Sequence, residues 1–262
     1  MFQPLFIHLP LDVVRERVDT LTSMKLNVEV LLDVPACESL HPGGLLVLLS
    51  PLIDEGCALH CHGPFDGSIM DPMEEDRERF LEAAVRCLER CAECGIERAV
   101  FHTGCKEEDQ GRDWRTWLSQ AKENWLPLKE ASQRTGVLLA LENTFEERTE
   151  PVSELIEFLQ PQAVFCVDLA HCHLSGGGLE PWVKDLGKHL KHVHLSDCHG
   201  KKDDHIGLGQ GSLPLDEMID SLKGLPAWRE NQISAALEVN SEEGIVSSMA
   251  FLMQRGLVLN EP

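Results

Sequence analysis

Eight short apolar runs, each followed by an amphipathic stretch of helical period, set the tightest limit on what this chain can fold into. The runs fall at 4–10, 27–33, 58–64, 98–104, 137–144, 163–171, 191–197 and 235–240. They are rich in Val, Leu, Ile and Phe and too short for helices. The stretches between them, about 11–20, 44–55, 76–95, 113–135, 151–160, 179–190, 214–223 and 242–255, place apolar residues mostly at three- and four-residue steps. In 76–95, for example, Phe80, Leu81, Ala84, Cys87, Leu88, Cys91 and Cys94 form one apolar face. Strand then helix, eight times over in 262 residues, predicts a (β/α)8 TIM barrel as a single domain over 1–262, ahead of an open doubly wound sheet.

Composition narrows the classes of function. The 43% hydrophobic content supplies a full core, and 23 basic against 44 acidic residues give a net charge of −21. Such a surface repels phosphate backbones and anionic lipid heads, so nucleic acid is not an expected partner. No apolar run reaches the length of a bilayer span, and Met1-Phe2-Gln3-Pro4 lacks a basic n-region. The expectation is a cytoplasmic protein without a membrane partner. Ten cysteines, mostly inside apolar runs, read as reduced thiols, and Cys91-x-x-Cys94, with no second pair, reads as packing.

Active sites of such barrels lie where strands end, and here the strand ends are full of metal-binding groups. The third run ends in His60-Cys61-His62-Gly63-Pro64, the fourth in Phe101-His102-Thr103-Gly104, and the fifth in Leu141-Glu142-Asn143-Thr144. The sixth carries Asp168 and His171, the seventh His192, His194 and Asp197, and the eighth Glu238. The loop after the seventh adds Asp203, Asp204 and His205 before Gly207-Leu208-Gly209-Gln210-Gly211. One such histidine is ordinarily a satisfied hydrogen-bonding residue, but six consecutive strands ending in His, Asp or Glu point to a shared cation. Oxygen and imidazole donors suit Zn²⁺ or Mn²⁺, and a cation would also relieve their mutual repulsion. Alternate strand residues face the same side, so His60 pairs with His62 and His192 with His194. In each pair the later residue is expected at the metal and the earlier one in support or in the barrel core. Among His8 and the loop cations Lys106, Arg112, Lys201 and Lys202, the candidate substrate contacts are His8, Lys201 and Lys202.

Taken in this order, the residues resemble the xylose isomerase-like TIM-barrel superfamily, also called AP endonuclease family 2, over almost the whole chain. Within it the ligand pattern is similar to that of endonuclease IV. The resemblance implies a cluster of up to three Zn²⁺, or Mn²⁺, in which Glu142 bridges two ions. One would also be held by His62 and His102, the other by Asp168, His194 and Glu238; His171, Asp203 and His205 would hold the third. Glu142, Glu238 and His171 are the implied catalytic groups, and the implied chemistry is phosphoester cleavage by water. The loop Val34-Pro35-Ala36-Cys37-Glu38-Ser39-Leu40, however, has no cation and no aromatic residue. The expected activity is therefore that of a phosphodiesterase or phosphoesterase on a small non-DNA substrate, such as a cobamide-like one. The alternative is a sugar or sugar-phosphate isomerase or epimerase, which needs only Glu142, Asp168, His194 and Glu238 around one metal.

Overall fold

Each apolar run forms a parallel strand in the computed structural model, which describes residues 1–111 and 113–258. The strands are β1 (Leu5–Pro10), β2 (Val28–Leu31), β3 (Leu59–His62), β4 (Arg98–His102), β5 (Leu138–Glu142), β6 (Ala163–Asp168), β7 (Leu190–Leu195) and β8 (Ser234–Leu237). They pair in chain order, and β1 closes against β8. The expected (β/α)8 barrel is the fold. Among the described residues no helix is long and apolar enough to cross a membrane.

Three local departures follow from capping and proline chemistry. The sixth run stops as a strand at Asp168, whose carboxylate accepts the His171 N–H at 2.6 Å and starts the helix Leu169–Leu174. His171 thus lies on the first helical turn after β6. The stretch 113–135 is two helices, Trp114–Asn124 and Leu126–Thr135, with Pro127 in the first turn of the second, where a missing N–H costs nothing. The segment after β2 is also a helix, Val34–Ser39, with Asp33 accepting the Ala36 N–H at 2.7 Å.

Outward-facing strand residues such as Val30, Cys61, Leu141, Val193 and Leu195 pack under the helices in one large apolar core. The barrel interior is different. Its only apolar cluster of buried residues, among those described, is Val100, Ala140 and Cys166, with Val164 against it. Around these sit the buried polar side chains of Glu29, His60, His192 and Ser234, where such barrels ordinarily stack Val, Ile and Leu. Toward the N-terminal end Phe6 lies face to face with His60, ring centroids 4.3 Å apart. None of the ten cysteines is joined in a disulfide.

Because Phe6 is fully buried beneath a polar layer that cannot collapse onto a void, Phe6→Ala is expected to lower unfolding free energy by about 3–5 kcal/mol. Urea denaturation measures this, and a loss below about 1 kcal/mol would show that Phe6 does not support the interior.

Candidate metal centre

The parallel register sets His102 beside Glu142 and Asp168 beside His194, at the last residues of their strands or one short of the end. Glu142 is the meeting point, with its carboxylate fully buried. Its Oε2 lies 3.2 Å from His62 Nε2 and 3.6 Å from His102 Nε2. Its Oε1 lies 3.1 Å from His194 Nδ1 and 3.4 Å from His171 Nδ1. The two oxygens therefore face two different sets of donors.

On the Oε1 side, Glu142, Asp168, His194 and Glu238 each place one donor atom within 4.8 Å of the others. Glu142 Oε1, Asp168 Oδ2, His194 Nδ1 and Glu238 Oε2 are all buried and lack a hydrogen bond of acceptable geometry. Leaving such atoms unsatisfied is costly, and the donor set fits a divalent cation. Farther out, Asp203 Oδ2 lies 2.9 Å from both His171 Nε2 and His205 Nε2. His205 adopts a left-handed φ of +47°, uncommon for a residue with a Cβ. The nine candidate donors thus gather at one end of the barrel.

Without a cation these groups answer one another. Burial alone would raise the Glu142 carboxyl, but the imidazoles of His194, His171 and His62 hold it well below its usual range. Burial pushes Asp168 up to about 6, with Glu142, Glu238 and Asp203 adding to the rise and His171 opposing it. His102 is brought down to about 4 by burial. Burial also disfavours a charged His205, yet Asp203 and Glu238 outweigh it and raise the group to about 9. Ligand protons that compete in this way are those a bound metal displaces.

The earlier member of each histidine pair lies deeper. Both approach Glu29 on β2, a carboxylate that sequence reading passed over because one Glu in Val-Glu-Val-Leu resembles a solvent-facing strand position. Glu29 Oε2 is 2.8 Å from His192 Nε2 and 3.4 Å from His60 Nδ1. Asp197, counted among the strand-end donors, has another role. Its two oxygens accept the backbone N–H groups of Cys198, Gly209, Gly211 and Leu213 at 2.8–3.1 Å. With its lone pairs engaged, it shapes the loop that carries Asp203 and His205. A Cβ on Gly211 would lie 2.3 Å from Asp197 Oδ1, so the glycine permits this close approach.

The mouth opens into a cavity of about 710 Å³, lined by His8, His62, His102, His171, Asp203, His205 and Glu238, with Arg17, Phe65 and Asn240 farther out. His8 Nδ1 is 3.7 Å from Glu238 Oε1. Lys201 and Lys202 are exposed and are not among the residues that line it, although Asp203 and His205 of the same segment, closed by the Asp197–Ile206 bridge, are. Lys106 pairs with Asp71 at 3.6 Å, and Arg112 lies outside the described residues. Arg17, beside Glu242 at 3.3 Å, and the exposed Phe65 were not anticipated. Phe65 follows His62-Gly63-Pro64 directly, which is the signal that could have found it; Arg17 sits in an ordinary amphipathic helix and gives none.

Comparison with known proteins gives the family and the fold. The family described as xylose isomerase-like TIM barrel matches residues 45–255. A probable endonuclease 4 of Campylobacter concisus is 28% identical over 184 residues, covering 59% of this chain and 61% of that protein. The chain therefore spans about three fifths of that curated relative. The TTHB071 protein of Thermus thermophilus, solved after soaking with ZnCl2, superposes with a TM-score of 0.77 at 27% identity, covering 95% of this chain and 96% of that one. A D-tagatose 3-epimerase-like protein shares the fold at a TM-score of 0.76 and 18% identity, with the same coverage.

Asp197→Ala removes the acceptor of four backbone N–H groups and is expected to cost about 3 kcal/mol of stability. It should also release one metal ion from the zinc-loaded protein, because Asp203 and His205 lose their support. Thermal melts with metal analysis check both, and unchanged stability and metal content would remove Asp197 from this role.

Proposed function

The chain belongs to the xylose isomerase-like TIM-barrel family, and from the donors at its mouth we propose a divalent-metal-dependent phosphodiesterase or phosphoesterase acting on a small substrate other than DNA. The observation that carries this reading is the division of Glu142: one oxygen faces His62 and His102, the other His194 with Asp168 and Glu238 close by. A carboxylate so placed suits a bridge between two ions. Asp203, between His171 and His205, suits a third. Bound ions would neutralise phosphate charge and lower the pKa of a water molecule.

The remaining lining residues suit a small anionic ligand. Arg17 is the one Lys or Arg side chain lining the cavity among the described residues, and Phe65 offers an exposed aromatic face. His8, beside Glu238, is placed to donate to or accept from a substrate oxygen. A volume of about 710 Å³ falls in the range of small-molecule sites. Glu16 and Glu242 flank Arg17, and with a net charge of −21 the surroundings disfavour a long polyanion.

A second reading, a sugar or sugar-phosphate epimerase, draws on the compact set Glu142, Asp168, His194 and Glu238, which alone suffices for one metal. Glu142 and Glu238 would then exchange protons with a ketose carbon. His62, His102, Asp203 and His205 have no ligand role in that chemistry.

The readings part on metal count and turnover. The protein loaded with Zn²⁺ or Mn²⁺ is expected to hold up to three ions and to hydrolyse bis(p-nitrophenyl) phosphate. Replacing Asp203 and His205 together by alanine should remove one ion and lower turnover by about 100-fold, and Glu142→Gln should abolish activity and lower metal content further. One ion per chain, no phosphodiester cleavage and interconversion of a ketose would replace this reading with the epimerase.

A further inference from the structure

His194 presents its two ring nitrogens to different chemical layers. Its Nδ1 lies 2.9 Å from Glu238 Oε2 and 3.1 Å from Glu142 Oε1, among the candidate metal donors. Its Nε2 lies 2.9 Å from Oε1 of Glu29, which is fully buried. We propose that Glu29 is a positioning residue for the metal centre: by accepting the Nε2–H of His194, it fixes the tautomer and rotation that turn Nδ1 toward Glu142, Asp168 and Glu238. This rests on the metal reading of the site, but not on the choice between hydrolase and epimerase.

Glu29 is itself held. Its second oxygen approaches His192 Nε2 at 2.8 Å and His60 Nδ1 at 3.4 Å. His192 is fixed in turn by its Nδ1 contact with Ser234 Oγ at 2.7 Å, and His60 by stacking on Phe6. A line of contacts from β8 and β1 therefore sets the Glu29 carboxylate, and Glu29 sets His194. Stability gives no sufficient reason for this layer, because an apolar side chain of similar volume in place of a buried charge is often neutral or stabilising. Orientation of the metal-facing imidazole does give one: a ligating histidine whose other N–H is donated to a carboxylate is pre-set in tautomer and made a stronger donor.

The test is zinc affinity, by chelator competition, in the full-length wild type and in Glu29→Gln and Glu29→Leu. Gln keeps an acceptor without the charge, while Leu removes both. Affinity of one ion is expected to fall by about 10-fold in the Gln variant and by nearer 100-fold in the Leu variant, with circular dichroism and saturating metal count unchanged. Wild-type affinity in the Leu variant would overturn the proposal. So would loss of a whole ion at saturating zinc, which would make Glu29 a ligand itself. If either variant fails to fold, ¹⁵N-imidazole NMR of the zinc-loaded wild type decides: the proposal requires a protonated His194 Nε2 and is overturned by a metallated one. A wild type that binds no divalent ion would instead refute the metal reading on which the proposal stands.

Discussion

Glu142 brings a carboxylate into the mouth of the barrel with no exposed surface over which water could solvate it. Four histidines from β3, β4, β7 and the turn after β6 approach within 3.1–3.6 Å. The imidazoles of His194, His171 and His62 reverse the effect of burial on its pKa. Closing eight strands in register brings those strand ends together, and the loops then add what the strands cannot reach. Asp168 serves twice, as a candidate ligand and as the cap of the helix that delivers His171. Asp197 gives up its lone pairs to four amides so that the following loop can carry Asp203 and His205 toward His171.

The centre also determines how the barrel is stabilised. A polar layer of Glu29, His60 and His192 occupies interior space that aliphatic side chains would ordinarily fill. Apolar packing is consequently concentrated outside the strands, where Val30, Leu141, Val193 and Leu195 meet the helices. The interior can remain polar because the carboxylate of Glu29 is surrounded by partners: it touches three imidazoles, one of which reaches up to the candidate donors.

Much of this architecture was legible because two periodicities leave different marks. Short apolar runs located all eight strands, and the separation of His60 from His62 and of His192 from His194 by one residue correctly implied common sides and different depths. Donor-type residues stand out because His, Asp and Glu recur at strand ends and in the loop after the seventh strand, and the resemblance to the endonuclease IV pattern singled out nine of them. Boundaries were harder: Asp168 ends a strand and caps a helix at once, so 163–171 read as one apolar run. Single polar residues were hardest. Glu29 looks like any solvent-facing strand residue until the barrel closes around it, and Asp197 looks like a ligand until its four amide partners are in place. Lys201 and Lys202 share a segment with Asp203 and His205, and nothing local tells which of its side chains reach the cavity. Arg17 gains its position at the cavity only from the packing of its helix.

On the proposed reading, the two oxygens of Glu142 serve two separate ions. Anomalous diffraction above and below the zinc edge, from crystals of the zinc-loaded protein, tests it most directly because each ion is located independently of activity. One peak is expected beside His62 and His102 and another beside Asp168, His194 and Glu238, with Glu142 between them. A fully occupied single peak confined to the Glu142, Asp168, His194 and Glu238 group would contradict it.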